Sequence, residues 1–115
     1  MSTRAVGPVP RSLRVMVAQI NAVVGDIEGN TARIVSALDR ARGLGVDLAV
    51  FPELAVCGYP PEDLLLRPSF LAANGAAIQA IAPHTSDLTA VVGFADRDGD
   101  LYNAAAVLHD GALAD

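Results

Sequence analysis

The sequence predicts an α/β fold with parallel strands, on three observations. A β-prone run, an amphipathic helical period and a second apolar run follow one another within about 40 residues, the spacing of a βαβ unit. Leu48-Ala49-Val50-Phe51 and Ala90-Val91-Val92-Gly93-Phe94 are apolar on both faces, as strands buried between two layers are. Hydrophobic residues make up 52% of the 115-residue chain, above the usual ~45–50%, so it can build a core.

Residues 1–12 mix Gly, Pro, Ser and Arg without periodicity and read as a disordered tail. Leu13 to Ile20 is β-prone and stops at Asn21 and Gly25-Asp26, which makes it the first strand. From Asn30 the period changes. Ile34, Leu38 and Ala41 fall at i, i+4 and i+7, Arg33, Asp39, Arg40 and Arg42 take the other faces, and Gly43 and Gly45 supply the stop of a helix. Val46 to Phe51 is the second strand, ended by Pro52, which has no N–H for a ladder. Gly58-Tyr59-Pro60-Pro61-Glu62-Asp63 reads as a loop. Ser69 is the expected cap of a second helix, in which Leu71, Ile78 and Ala82 share a face and Pro83 marks the end. Leu88 to Ala95 is the third strand, Asp96 to Asp100 a hairpin turn, Leu101 to His109 the fourth strand, and Asp110-Gly111 opens another turn.

About four strands and two helices result. Two helices cover one face of such a sheet, so either a second copy or a continuation of the chain is expected over the other.

Composition excludes several functions. The net charge is −5, and the eight positive residues, all Arg, are spread from Arg4 to Arg97, which argues against nucleic acid as a partner. No stretch approaches the ~20 apolar residues of a membrane span, and no signal-peptide run is present. The one cysteine, Cys57, closes no intrachain disulfide and fits a reducing compartment, the cytoplasm.

Glu53 is the first catalytic candidate, because it follows the C-terminal end of a parallel strand, where ligand sites of open α/β sheets collect. Phe51-Pro52 and Leu54-Ala55-Val56 surround it with apolar residues, so it is expected to be desolvated and primed as a proton acceptor. The alternative is a Glu that turns to solvent or caps a loop. Cys57, four residues on, could be a Glu-activated nucleophile or a packing residue, and its neighbours favour packing. The acidic turn Asp96 to Asp100 lacks the Gly and Glu spacing of a calcium loop. His84 and His109 are isolated, so no metal site is expected.

Val50-Phe51-Pro52-Glu53-Leu54, followed by Cys57-Gly58-Tyr59-Pro60-Pro61-Glu62-Asp63-Leu64-Leu65-Leu66-Arg67, resembles the nitrilase, or carbon-nitrogen hydrolase, superfamily. The longer motif is most similar to the N-terminal glutaminase domain of glutamine-dependent NAD synthetases. Val15 to Asn21, Val24-Gly25-Asp26, Gly29-Asn30, Val91-Val92-Gly93 and Tyr102-Asn103-Ala104-Ala105 carry the likeness onward from Leu13 to the last residue. The resemblance implies an αββα sandwich of two sheets, of which residues 13–115 would be a truncated N-terminal part.

It also implies a Glu, Lys and Cys triad. The Cys thiolate attacks the glutamine side-chain amide, the Glu takes and returns the proton, and the Lys stabilises the tetrahedral intermediate. Ammonia then passes to a domain that uses ATP and magnesium to convert deamido-NAD to NAD. Glu53 matches the proton acceptor. Cys57 does not match the nucleophile, and no lysine exists in the chain, so the triad Lys and Cys are not present and the chain by itself is expected to be inactive. Glutamine is the implied substrate and a homo-oligomer the implied state at full length. The residues that bind substrate are unknown, Tyr59 and Tyr102 being candidates that read equally as packing residues. The rival expectations are a segment of another nitrilase-type amidase, acting on an ω-amide or N-carbamoyl amine, and a non-catalytic α/β binding module.

Overall fold

A computed structural model describes residues 12–98 and 100–115, without the side chains of residues 62, 65, 97, 98 and 100–102. The tail read over residues 1–12 therefore lies outside the described residues but for Ser12. The elements are β1 (Val15–Val17), α1 (Ile27–Gly43), β2 (Leu48–Val50), a 3-10 turn (Glu62–Leu66), α2 (Pro68–Ile81), a second 3-10 turn (Ala82–His84), β3 (Thr89–Asp98), β4 (Asp100–His109) and β5 (Ala112–Leu113). They form a five-stranded sheet in the order β1-β2-β3-β4-β5, parallel from β1 to β3 and antiparallel from β3 to β5.

The fold class agrees with the sequence, and the differences lie at the ends of elements. β1 and β2 are three residues each. Past Val50 the β2–β3 ladder gains only the bond from the Phe51 N–H to the Val91 carbonyl, 2.9 Å, before Pro52 removes the next donor. The first helix begins before Asn30, because the Asp26 carboxylate accepts from the Gly29 N–H at 3.0 Å and caps it. Ser69 is not a cap. Pro68 occupies the first helical position, where a missing N–H costs nothing, and Arg67 precedes it without a side-chain cap bond. Pro83 does not simply end α2, since the chain tightens into the 3-10 turn that contains it. The pairing of β3 with β4 runs on to Asp98 opposite Asp100, so most of the acidic hairpin turn is strand, with Gly99 outside the described residues. Asp110 and Gly111, at φ 48° and 88°, make the turn expected there, and β5 is the added fifth strand.

Both helices lie on one face. Ile34, Leu38 and Ala41 of α1 join Ala77, Ile78 and Ile81 of α2 over Ala49, Ala90, Val92, Ala106 and Leu108 of the sheet in one core. Leu71 packs instead on a small second cluster of Leu54, Cys57 and Ala95. On the opposite face Val17, Val50, Val91 and Val107 stand in register across four strands. Val17 is 72% exposed and Val15 48%, and the other three are half-buried, so that face is apolar and no element among the described residues covers it. The strands that read as apolar on both sides are therefore half satisfied.

Candidate active site

Glu53 follows β2 by three residues, at the C-terminal ends of the parallel strands. The chain reverses sharply there. Leu54 takes φ 51°, a conformation costly for a non-glycine residue, while its side chain is buried. Beyond it, the Gly58 N–H donates to the Leu54 carbonyl at 2.8 Å and the Val56 N–H to the Gly93 carbonyl at 3.2 Å.

Three residues pin this turn. Gly93 lies so close beneath it that a Cβ would stand 2.6 Å from both the Pro52 carbonyl oxygen and the Leu54 nitrogen. Gly58, at φ 80°, lets the turn touch the loop before α1, where a Cβ would meet the Val24 nitrogen at 2.7 Å. Asn30 is fully buried between the same two loops. Its Nδ2 donates to the carbonyls of Val23 at 2.8 Å and Val56 at 3.0 Å, and its Oδ1 accepts from the Val23 N–H at 2.7 Å. A buried amide with these partners satisfied holds one loop geometry, because every displacement leaves a desolvated polar group unpaired.

The Glu53 side chain is met from β4: the Asn103 Nδ2 donates to Glu53 Oε1. Both residues line a hollow of about 290 Å³ on the uncovered sheet face, with Phe51, Val91, Gly93 and Ala105 in its wall. The expected desolvation of Glu53 is not met in this chain, where the residue is exposed. Its apolar neighbours bury themselves rather than it, since Phe51, Ala55 and Val56 enter the main core and Leu54 the second cluster. The sequence by itself does not single out Asn103. Its one signal there is its place in Tyr102-Asn103-Ala104-Ala105.

Cys57 is a packing residue. It is fully buried, its Sγ lies 3.4 Å from the Gly58 carbonyl, and burial pushes the thiol above its ordinary value of 9.0. Folding thus holds the thiol proton, a contribution to stability present below pH 9.0 and lost as the pH rises through the folded value. At pH 8 an aromatic disulfide reagent is expected to label Cys57 about 100-fold more slowly in the folded chain than in urea. Equal rates would show the thiol to be accessible and restore it as a nucleophile.

The tyrosines are not brought to the site as a pair. Tyr59 is 69% exposed and does not line the hollow. Tyr102 sits beside Asn103 on β4, opposite Asp96, and its side chain lies outside the described residues. The histidines lie apart, His84 Nδ1 at 3.5 Å from Asp39 and His109 Nδ1 at 2.8 Å from the Thr89 hydroxyl.

The profile of the carbon-nitrogen hydrolase family matches residues 14–114. The chain belongs to the carbon-nitrogen hydrolase family. It is similar to a glutamine-dependent NAD(+) synthetase of Thermotoga maritima, with 51% identity over 105 residues, 90% of this chain and 18% of the relative. A crystal structure of a glutamine-dependent NAD(+) synthetase from Cytophaga hutchinsonii superposes with a TM-score of 0.84 at 28% identity, covering 88% of this chain and 18% of that one. An amidase from Nesterenkonia sp. AN1 superposes at 0.76 and 23% identity, covering 95% of this chain and 44% of that one. The chain thus spans about a fifth of the synthetases' length. These matches establish the nitrilase-type α/β architecture, in which the five strands and two helices seen here form part of the sandwich. Among the described residues no helix is long and apolar enough to cross a membrane.

Proposed function

We propose that this chain supplies the proton-transfer part of a glutamine amide hydrolase that feeds ammonia to NAD synthesis. The observation that carries the proposal is Glu53, held by Asn103 at the mouth of a hollow where the parallel strands end. Its carboxylate takes the thiol proton as a Cys attacks the glutamine carboxamide, and returns it to the leaving nitrogen, so ammonia departs and an acyl-thioester remains. Water, deprotonated in turn by Glu53, then attacks the thioester carbonyl, and Glu53 returns that proton to the departing Cys sulfur as glutamate leaves. The Lys and Cys of the triad come from outside these 115 residues, since the chain has no lysine and its Cys57 is buried.

Identity reaches 51% to a curated synthetase sequence, and among solved structures it is 28% to a synthetase against 23% to the Nesterenkonia amidase, which supports the synthetase assignment over that amidase. ATP and magnesium belong on this reading to the rest of the protein, which we take to be a cytoplasmic homo-oligomer. Among the described residues no group of three or more His, Cys, Asp or Glu could hold a metal ion.

The test has two arms. The 115-residue chain with glutamine is expected to release no ammonia above a Glu53→Ala control. Exchanged for the matching stretch of the T. maritima synthetase, the same residues are expected to give a chimaera that forms NAD from deamido-NAD with glutamine as nitrogen donor. Ammonia from the isolated chain would refute its inactivity. A chimaera that folds and uses free ammonia but never glutamine would refute the glutaminase role.

A further inference from the structure

We propose that Asn103 is a positioning residue for this reaction, fixing which oxygen of Glu53 exchanges the proton. The inference rests on the reading of Glu53 as proton acceptor and goes beyond it. Asn103 and Glu53 are 50 positions apart and reach each other because two ladders bring them together. Asn103 pairs with Ala95 on β3, next along the same sheet face from the Gly93 and Ala105 pair, and Gly93 is the residue on which the Glu53 turn rests.

The chemistry of an amide suits the task. Nδ2 is a donor only and does not titrate in the working range, so it can neither take the proton from Glu53 nor lose its own. With Oε1 occupied by that donor, the proton arriving from the nucleophile goes to Oε2. The protonated carboxyl then keeps Oε1 as its carbonyl oxygen, which accepts the same bond. The contact persists through both halves of the cycle, and the carboxyl plane does not turn between taking and returning the proton. A free Glu at an exposed turn would sample several rotamers and spend part of its time facing away from the hollow.

Kinetics of the chimaera test this. Asn103→Ala is expected to lower kcat with glutamine about 10- to 100-fold, with KM within about twofold and the rate with free ammonia unchanged. Asn103→Asp fills the same space but puts an acceptor where the donor was, and is expected to fall at least as far. A residue that only fills space would leave the Asp variant near the parent, which overturns the inference. So does a kcat within twofold of the parent for both variants while Glu53→Gln is inactive, a result that leaves the role of Glu53 standing. If Glu53→Gln is itself active, the reading of Glu53 fails first and Asn103 with it. Asn103 is exposed, and circular dichroism of each variant is expected to match the parent.

Discussion

Glu53→Gln in the chimaera is expected to lower glutamine-dependent ammonia release by at least about 10³-fold, while NAD formation from added ammonia continues at the parent rate. The substitution is nearly isosteric, and the Gln carbonyl oxygen can accept from Asn103 Nδ2 as Glu53 Oε1 does, so the turn and the hollow keep their shape. What is lost is the ability to hold a proton between the attack of the thiol and the departure of ammonia. Groups that act on one proton in sequence are not additive, so the loss approaches that of removing the nucleophile itself. The split between the two nitrogen sources separates chemistry at Glu53 from damage elsewhere, because a misfolded protein loses both. A Gln variant that keeps a tenth or more of the parent rate with glutamine would falsify the assignment of Glu53.

The βαβ start was legible because its signals are local. Ile34, Leu38 and Ala41 announce their helix face by spacing alone, and all three are fully buried. Element ends were less legible. Ser69 has the chemistry of a cap, but Pro68 before it already fits the first helical position, and the chain enters α2 through Arg67 instead. At the site, Glu53 could be found from its place after a strand, since that place follows from topology. Its surroundings could not. Whether Phe51, Leu54 and Val56 cover a carboxylate or turn away from it depends on the strain at Leu54 and on a turn closed through Val56 by Asn30, 26 positions before it, and Gly93, 37 positions after it. Asn103 is harder still, because its partner is fixed only when the register of β3 with β4 and the height of the Glu53 turn are both known. The apolar second face was legible as a composition pattern, and exposed Val15 and Val17 give it physical form.

Gly93→Ala is the second large effect, and it acts with no change to Glu53 or Asn103 themselves. The added methyl carbon would lie 2.6 Å from the Pro52 carbonyl oxygen and the Leu54 nitrogen, and 3.0 Å from the Glu53 carbonyl carbon, all backbone atoms that cannot rotate away as a side-chain end can. Either β3 or the Glu53 turn must move. At Gly93 β3 is held by the long β4 ladder, the β2 ladder having ended at Val91, whereas the turn is held by single bonds, from the Val56 N–H to the Gly93 carbonyl and from Asn30 Nδ2 to the Val56 carbonyl. The turn therefore lifts, carrying Glu53 out of the reach of Asn103 and away from the floor of the hollow. Overpacking of this kind costs about 1–3 kcal/mol of stability. A displacement near 1 Å at a reacting group costs about 10²-fold in rate, so the chimaera is expected to lose glutamine-dependent turnover by about that factor and to keep its ammonia-dependent rate. Adding Asn103→Ala to Gly93→Ala is then expected to cost less than about threefold more, because the contact it removes is already broken. Full multiplication of the two losses would mean that the turn stays in place and that Gly93 acts on stability alone.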